Sequence, residues 1–447
     1  FTVVMPMTVT KVKDGHTVEN TATQVTNDKR DKTNTVTNPL KEINPTKDVT
    51  VQVGGDSIDG KSVYLNHTFL YRLDSSILPP DRAYQTVTDW GGTDQLNTEY
   101  DQYLGNWAVY ASRDLYRDGQ MLAAKGEKIA GSGFDSSKFG GNLFTVDADD
   151  NGKVTADATQ AYLDLVSADN EHEAGWVLYL QCKRIAVADE VPNTWTETIN
   201  GQPRESNKVV TKTPDMTPSI HLEKVDTPTL KQEGQEQADR DDPKQALKMD
   251  ADSIGITFII TNTSKTDPAT GDGAWYKASD LNLADSTIVG DAHVDMDSLT
   301  YPADWDTLVL KPGESVSVTG TLKGVKEGET HTDRAIVTGT PLVECAPSNG
   351  DPFNDKTDGG EDTDPEYSTG DVTEIDGKQL CADTQTTSNT DDWNGYRAKP
   401  LASTGVAVLG LAGGALAVLL AGGSLLVFRK RHYAQGSGRH TAVNAGK

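Results

Sequence analysis

Short runs in which apolar and polar residues alternate recur through most of this 447-residue chain. Phe69, Tyr71 and Leu73 share one parity, and the residues from Ile254 to Ile260 repeat the pattern. Gly, Asp and Asn turns separate the runs, as in half-buried antiparallel strands. Only the segment from Thr159 to Val166 is predicted to form one or two helical turns. The sequence therefore predicts an all-β fold of tandem Ig-like β-sandwiches.

Charge and composition exclude several classes of function. The chain has 67 acidic and 41 basic residues and a net charge of −26, which argues against a nucleic acid or an anionic membrane surface as partner. Three cysteines and eight histidines form no CxxC or HExxH motif, so no zinc site is predicted. There is no GxSxG motif and no recognisable Ser, His and Asp set, so we predict a protein that is not an enzyme.

A charge-free apolar run from Val406 to Phe428 is followed at once by Arg429, Lys430 and Arg431. A helix of this length can cross a bilayer, and the basic cluster should stay on the cytoplasmic side. The run therefore predicts a transmembrane helix with the residues that precede it outside the cell and the basic tail in the cytoplasm. A plain C-terminal membrane anchor is one interpretation.

The pentapeptide LASTG directly precedes that run. Together with the apolar helix and the basic tail, it resembles a cell-wall sorting signal of Gram-positive bacteria, in the LAxTG form associated with class E sortases of actinobacteria. The resemblance implies Leu401, Ala402, Thr404 and Gly405 as sorting residues. A sortase would attack the Thr404 carbonyl, release Gly405 and join Thr404 to an amine of peptidoglycan or its precursor. The membrane helix would then be a transient anchor.

Three polar residues share strand faces with apolar neighbours. Lys47 has the parity of Val49, and Asn20 and Asn193 lie in the similar stretches VENTATQ and VPNTWTE. A buried, unpaired Lys or Asn would cost several kcal/mol. A snorkelling Lys and an edge Asn would avoid that cost.

A Lys-Asn isopeptide bond would avoid the cost as well. A desolvated Lys amine is a nucleophile, and a protonated buried carboxyl polarises the Asn amide, so a bond can form with loss of ammonia. The carboxyl is predicted to be either Asp89 or Asp94.

The stretches NPTKDVTVQV, SVYLNHTFLYRL, EYDQYLGNWAVYASRDLY and YLQCKRIAVADEVPNTWTETIN resemble the C-terminal adhesin domains of the antigen I/II family of surface proteins. That family has modified Ig-like sandwiches closed by a Lys-Asn isopeptide bond. The resemblance implies Lys47 as amine donor and Asn193 as acceptor. It also implies Asn20 as acceptor in a domain whose Lys precedes Phe1, so we expect a fragment of a longer exported protein.

Residues 216–394 resemble instead the Ig-like repeats of bacterial surface proteins. Lys224 and Asp333 each share a face with apolar neighbours, and they are predicted to form either an isopeptide bond, with loss of water, or a buried salt bridge. Cys345 and Cys381 are predicted to form a disulfide in an oxidising exterior, which leaves Cys182 free.

The predicted domains follow Pro-marked polar boundaries at 38–45 and 213–217. They are the final strands of a truncated adhesin domain (1–40), an isopeptide-forming sandwich (41–215), an Ig-like sandwich with an acidic loop (216–394), a linker with the sorting motif (395–405), a transmembrane helix (406–428) and a basic tail (429–447).

No cofactor is predicted, with calcium as the alternative. The run DADDNGKVT begins like a calcium loop at Asp147, but its twelfth position is Ala158 rather than Glu, and a hairpin turn explains it better. The carboxylates from Asp351 to Glu366 fit a solvated loop as well as they fit a calcium site.

The sequence as a whole predicts a sortase-anchored, surface-exposed cell-wall adhesin whose domains form a rigid stalk and contribute to binding. Its expected partners are sortase, peptidoglycan and an unidentified host glycoprotein, glycan or bacterial ligand. A pilin or stalk without an adhesive role, and accessory domains of a wall-anchored glycosidase, are the alternatives.

Overall fold

Strands account for most of the regular secondary structure in the computed structural model, which describes residues 2–7, 9, 16–82, 85–230, 240–345, 353 and 372–400. The all-β prediction is confirmed for these residues. Within them, no helix is long and apolar enough to cross a bilayer. The sorting motif, the apolar run and the basic tail lie outside the described residues.

Four exposed strands form two antiparallel pairs near the start of the chain. They are β1 (Thr17–Asn20), β2 (Thr23–Thr26), β3 (Lys29–Lys32) and β4 (Val36–Pro39). Asn27 and Asp28, both with positive φ, make the tight turn between β2 and β3. Asn20 lies opposite Val36 and is exposed, so its side chain is not part of a described core.

The first sandwich contains fourteen of the described strands and one helix. These are β5 (Thr46–Thr50), β6 (Thr68–Asp74), β7 (Trp90–Gln95), β8 (Asp101–Ala111), β9 (Leu115–Arg117), β10 (Gln120–Ala123), β11 (Lys128–Gly131), β12 (Phe144–Ala148), β13 (Lys153–Ala158), α1 (Gln160–Ala168), β14 (Trp176–Arg184), β15 (Ala188–Asn193), β16 (Trp195–Ile199), β17 (Gln202–Glu205) and β18 (Val209–Thr213).

Two five-stranded antiparallel sheets enclose the first core. Their strand orders are β11-β8-β14-β6-β5 and β12-β13-β7-β16-β17, and β15 pairs separately with β18. Helix α1 forms where the sequence predicts helical turns, and it buries Tyr162 and Val166 against the core. Val49, Val51 and Val53 alternate with polar residues, but β5 ends at Thr50 and leaves Val51 exposed ahead of the Gly54 turn.

The second sandwich contains fourteen further strands within the described residues. These are β19 (Ile220–Thr227), β20 (Leu247–Met249), β21 (Ser253–Asn262), β22 (Tyr276–Lys277), β23 (Asn282–Val289), β24 (His293–Val294), β25 (Val309–Leu310), β26 (Ser315–Lys323), β27 (Thr330–Gly339), β28 (Leu342–Glu344), β29 (Thr373–Ile375), β30 (Lys378–Ala382), β31 (Thr386–Thr387) and β32 (Asp391–Arg397).

The main sheets of this sandwich have the orders β19-β21-β26-β24 and β20-β32-β27-β23. A smaller sheet, β28-β30-β29, carries the disulfide between Cys345 and Cys381. Alternate residues of β21, including Ile256, Phe258 and Ile260, are fully buried. The period-two pattern therefore identified the inward face of this strand.

Direct contacts join the two sandwiches. Ser62 Oγ donates a hydrogen bond to Asp267 Oδ2 (2.9 Å), and Tyr64 OH donates one to Asp272 Oδ2 (3.2 Å). Phe353 packs on the outer face of the first sheet, where the Tyr110 hydroxyl donates to its carbonyl oxygen (3.0 Å). These contacts restrict movement of one sandwich against the other.

A buried charge network holds one end of the first sandwich. Arg184 Nε donates to Asp101 (2.8 Å), and its other nitrogens donate to Thr211 (2.7 Å) and Thr213 (2.8 Å). Tyr71 OH also donates to Asp101 (2.7 Å). Both charged side chains are fully buried, so each depends on the other for its stabilisation.

Replacing Arg184 with Met should lower the free energy of unfolding by about 3–5 kcal/mol, because it leaves the Asp101 carboxylate buried and unpaired. Urea unfolding followed by circular dichroism measures the change. Arg113→Met is the control, since its pair with Glu173 is half-exposed and should contribute less than about 1 kcal/mol. Equal decreases in the free energy of unfolding of the two variants would contradict this account of the network.

Candidate functional site

Lys47 reaches the interior of the first sandwich from the edge strand β5. Its side chain is 0% exposed, it forms an ion pair with Asp94, and its Nζ lies 4.4 Å from the centre of the Tyr71 ring. Burial lowers the pKa of the Lys47 amine, although Asp94 opposes that change. Its environment therefore favours the neutral amine more than water does, which is the form that acts as a nucleophile.

Asp94 approaches Lys47 from the opposite sheet. It lies on β7 and faces Trp195 across the β7–β16 ladder. One carboxylate oxygen contacts Lys47, while Oδ1 is buried without a hydrogen-bond partner. Gly92 permits this packing, because a Cβ there would lie 2.6 Å from the Trp195 ring.

Asn193, the predicted acceptor, is also buried, but it makes no hydrogen bond to Lys47 or Asp94. It ends β15 and is 6% exposed, and neither its amide oxygen nor its amide nitrogen has a hydrogen-bond partner. An unsatisfied buried polar group typically costs about 1–3 kcal/mol. Two such atoms on one side chain are unusual in a native core.

Sequence reasoning missed the contacts that fix β5 beside this site. Asn207 accepts a hydrogen bond from the Lys47 amide and donates one to the Lys47 carbonyl, both at 2.8 Å. Trp195 Nε1 donates to the Thr46 carbonyl oxygen (3.0 Å). Unlike Asn193, Asn207 uses both atoms of its amide, so it holds the Lys47 backbone in position.

The other candidate carboxylate, Asp89, has different contacts. Its Oδ1 accepts a hydrogen bond from the Gly201 amide (3.0 Å), and its carbonyl accepts one from the Asn200 amide (3.1 Å). Asp89 thus supports the turn between β16 and β17, and Asp94 is the candidate that contacts Lys47.

A second buried lysine lies in the second sandwich. Lys224 on β19 forms ion pairs with Asp333 on β27, at 2.7 Å, and with Asp285 on β23. Its side chain and that of Asp333 are 0% exposed. Burial raises the pKa of Asp285 to about 6, with Asp333 adding to the rise and Lys224 opposing it.

Asp285 was not identified from the sequence. The available signal is its parity with Leu283, which places both on the half-buried face of β23. The structure thus brings together the predicted Lys224 and Asp333 and adds a second carboxylate to them.

Several other candidate residues have structural roles. Asp149 accepts hydrogen bonds from the amides of Asn151 and Lys153, both at 2.9 Å, which forms the expected hairpin turn. The described residues contain no group of three or more His, Cys, Asp or Glu side chains arranged to hold a metal ion. The predicted acidic loop from Asp351 to Glu366 lies almost wholly outside them.

The free cysteine, Cys182, is fully buried between the two charged clusters of the first sandwich. Burial raises the pKa of its thiol well above the usual value, and the nearby Asp101 and Asp94 carboxylates add to the rise. The thiol is therefore protonated at neutral pH and screened from solvent.

Cys182 should resist alkylation by iodoacetamide in the native protein and react fully in denaturant, because both burial and the raised pKa suppress the thiolate. Labelling before and after unfolding, without reductant, should give no modified thiol and then one. The Cys345–Cys381 disulfide supplies the control, since two further thiols should react only after reduction and unfolding. Rapid labelling of native Cys182 would contradict the geometry.

Comparison with known proteins relates the first part of the chain to bacterial surface antigens. Residues 44–214 match the family described as cell surface antigen C-terminus, and residues 1–40 match the cell surface antigen I/II C2 terminal domain. Aggregation substance from Enterococcus faecalis is 36% identical over 201 residues. That match covers 44% of this chain and 14% of the length of the relative.

Two solved structures are also similar. The C-terminal domain of the Streptococcus pyogenes antigen I/II-family protein AspA is 27% identical, covers 44% of this chain and 54% of its own, and has a TM-score of 0.38. The Streptococcus agalactiae BspA C-terminal domain is 23% identical, covers 44% and 58%, and has a TM-score of 0.39. By the sequence matches, the chain contains domains homologous to the C-terminal domains of antigen I/II cell-surface proteins.

Proposed function

We propose that this chain is the wall-proximal region of a sortase-anchored surface adhesin, in which covalently closed sandwiches form a rigid stalk. The buried Lys47, Asp94 and Asn193 carry the proposal. They lie in the part of the chain that is homologous to surface antigens, and the unpartnered Asn193 amide is the feature that non-covalent packing leaves unexplained.

The proposed reaction joins Lys47 Nζ to Asn193 Cγ. Lys47 first passes a proton to Asp94, and the neutral amine then attacks the side-chain carbonyl carbon of Asn193. The protonated Asp94 carboxyl polarises that carbonyl and returns its proton as the bond to Nδ2 breaks. A second proton passes from the attacking nitrogen to Nδ2, so the products are an amide cross-link and one ammonium ion, and Asp94 ends as a carboxylate.

The bond would give the sandwich mechanical strength. Lys47 lies on β5, the first strand of the sandwich, whereas Asn193 lies on β15, near its end. A covalent link between them bypasses most of the intervening chain, so tension applied at the two ends would not unravel the core. Such resistance suits a stalk that holds a binding region away from the cell.

Tryptic digestion of the full chain should yield a Lys47–Asn193 cross-linked peptide lacking the mass of one ammonia. The Lys47→Ala, Asn193→Ala and Asp94→Ala variants should lack it, because each removes the nucleophile, the acceptor or the proton carrier. Mass spectrometry under reducing conditions is the measurement.

Two matched variants serve as controls for that experiment. Asp89→Ala should retain the cross-link, since Asp89 supports a turn. Asn207→Ala should also retain it, although with lower stability, because Asn207 only positions the Lys47 backbone. Unlinked peptides throughout the wild-type digest would refute the bond, and loss of the link in Asp89→Ala would refute the choice of Asp94.

An analogous bond is proposed for the second sandwich. Lys224 would be the donor and Asp333 the acceptor, with loss of water, while Asp285 polarises the acceptor carboxyl. The supporting observation is the fully buried contact between Lys224 and Asp333. The raised pKa of Asp285 makes it easy to protonate, as this role requires.

The LASTG segment supports anchoring to the wall. In this proposal a class E sortase cleaves after Thr404 and transfers it to peptidoglycan or its precursor, and the run from Val406 to Phe428 is a transient membrane anchor. The ligand is proposed to be a host glycoprotein, a glycan or a surface of another bacterium, bound through this chain or through regions that the stalk carries.

Thr404→Ala should move the protein from the wall fraction to the membrane fraction of cells that express it with its sortase. Sortase recognises the Thr404 side chain as part of the motif whose carbonyl it attacks, and without processing the apolar run should keep the chain in the bilayer. Immunoblots of fractionated cells measure the distribution, with Ser403→Ala as the control that retains wall attachment.

Equal wall attachment of Thr404→Ala and wild type would contradict sorting through this motif. The same blots also test polymerisation. Single bands after wall release fit a stalk, whereas high-molecular-weight ladders would indicate a pilin.

A further inference from the structure

His331 is buried beside the lysine cluster of the second sandwich without a hydrogen-bond partner. Its side chain is 1% exposed, and neither ring nitrogen makes a hydrogen bond. Its Nε2 lies 3.5 Å from Asp333 Oδ2, the same oxygen that lies 2.7 Å from Lys224 Nζ. The imidazole and the lysine amine therefore both lie near one carboxylate oxygen.

The fold places the ring there for local reasons. His331 and Asp333 are two residues apart on β27, so both point into the core. Gly290 packs closely against β27 here, because a Cβ at that position would lie 3.0 Å from the Thr330 carbonyl oxygen and 3.4 Å from His331 Nδ1. The ring lies 6.4 Å from that of Trp393 on β32. Packing thus encloses an imidazole whose hydrogen-bonding capacity is unused.

We propose that His331 is a proton carrier for formation of the Lys224–Asp333 bond. This inference rests on the proposed bond and goes beyond it, because the first sandwich contains no histidine in its Lys47 cluster. Lys224 and Asp285 can move one proton, but loss of water from a carboxyl acceptor also requires a proton on the departing hydroxyl. His331 lies beside Asp333 Oδ2, the oxygen that leaves as water in this proposal.

The proposed step is balanced in atoms and protons. The neutral Lys224 amine attacks Cγ of protonated Asp333 while protonated Asp285 gives its proton to the other carboxyl oxygen, so the tetrahedral centre has two hydroxyls and a protonated nitrogen. His331 Nε2 takes the proton from that nitrogen and delivers it to the hydroxyl formed from Oδ2. Water departs, the amide forms, and His331 and Asp285 recover their starting protonation.

The experiment measures bond formation during refolding of the full chain. Full-length chain that has been kept unfolded in denaturant since its synthesis is diluted into buffer, quenched at intervals and digested. Both cross-linked peptides are then quantified by mass spectrometry. His331→Phe should slow formation of the Lys224–Asp333 link by about a hundredfold or more, the usual range for losing a proton-transfer group. The Lys47–Asn193 link in the same molecules should form at the wild-type rate.

Two further variants separate proton transfer from structure. His331→Gln retains polarity but carries no proton at neutral pH, so it should be as slow as His331→Phe. Adding His331→Phe to Lys224→Ala, which forms no second link, reports the effect of the ring on unfolding stability alone. The proposal expects little change in that background.

A rate within about twofold of wild type in His331→Phe or His331→Gln would overturn the role of His331, given the size expected for proton transfer. A wild-type digest without the Lys224–Asp333 peptide would overturn the second bond itself and His331 with it. In that case the Lys47–Asn193 peptide still tests the first bond independently.

Discussion

A lysine amine enclosed in a β-sandwich is the constraint on which the rest of this structure depends. Lys47 has no exposed surface, so its charge must be paired, removed or consumed. Asp94 meets it from the facing sheet, Asn207 fixes its backbone, and Asn193 brings to the same core an amide with no partner. Pairing accounts for Lys47 and Asp94. The proposed bond would account for Asn193 as well, because it consumes the amide.

The second sandwich also encloses a lysine amine on its own first strand, with different neighbouring residues. Lys224 is buried on β19 between Asp285 and Asp333, and the proposed acceptor there is a carboxylate rather than an amide. Contacts through Ser62, Tyr64 and Phe353 connect this sandwich to the first. With both proposed bonds in place, two sandwiches joined by direct contacts would have few ways to extend, which is the property that a stalk requires.

Much of the architecture could be predicted because strand alternation is a local property. The parity of Lys47 with Val49 indicated that the lysine faces inward, and the structure places it there. The choice between Asp89 and Asp94 could not be made in this way, because it depends on how β7 pairs with β16. Asp285 and His331 were missed for a related reason, since neither can be recognised without knowing which residues of the neighbouring strands lie beside it.

A high-resolution crystal structure would test the central claim most directly. The account predicts continuous electron density between Lys47 Nζ and Asn193 Cγ at the length of an amide bond, about 1.33 Å, with no density for the Asn193 amide nitrogen. Separate side chains at van der Waals distance, with an intact Asn193 amide, would contradict it.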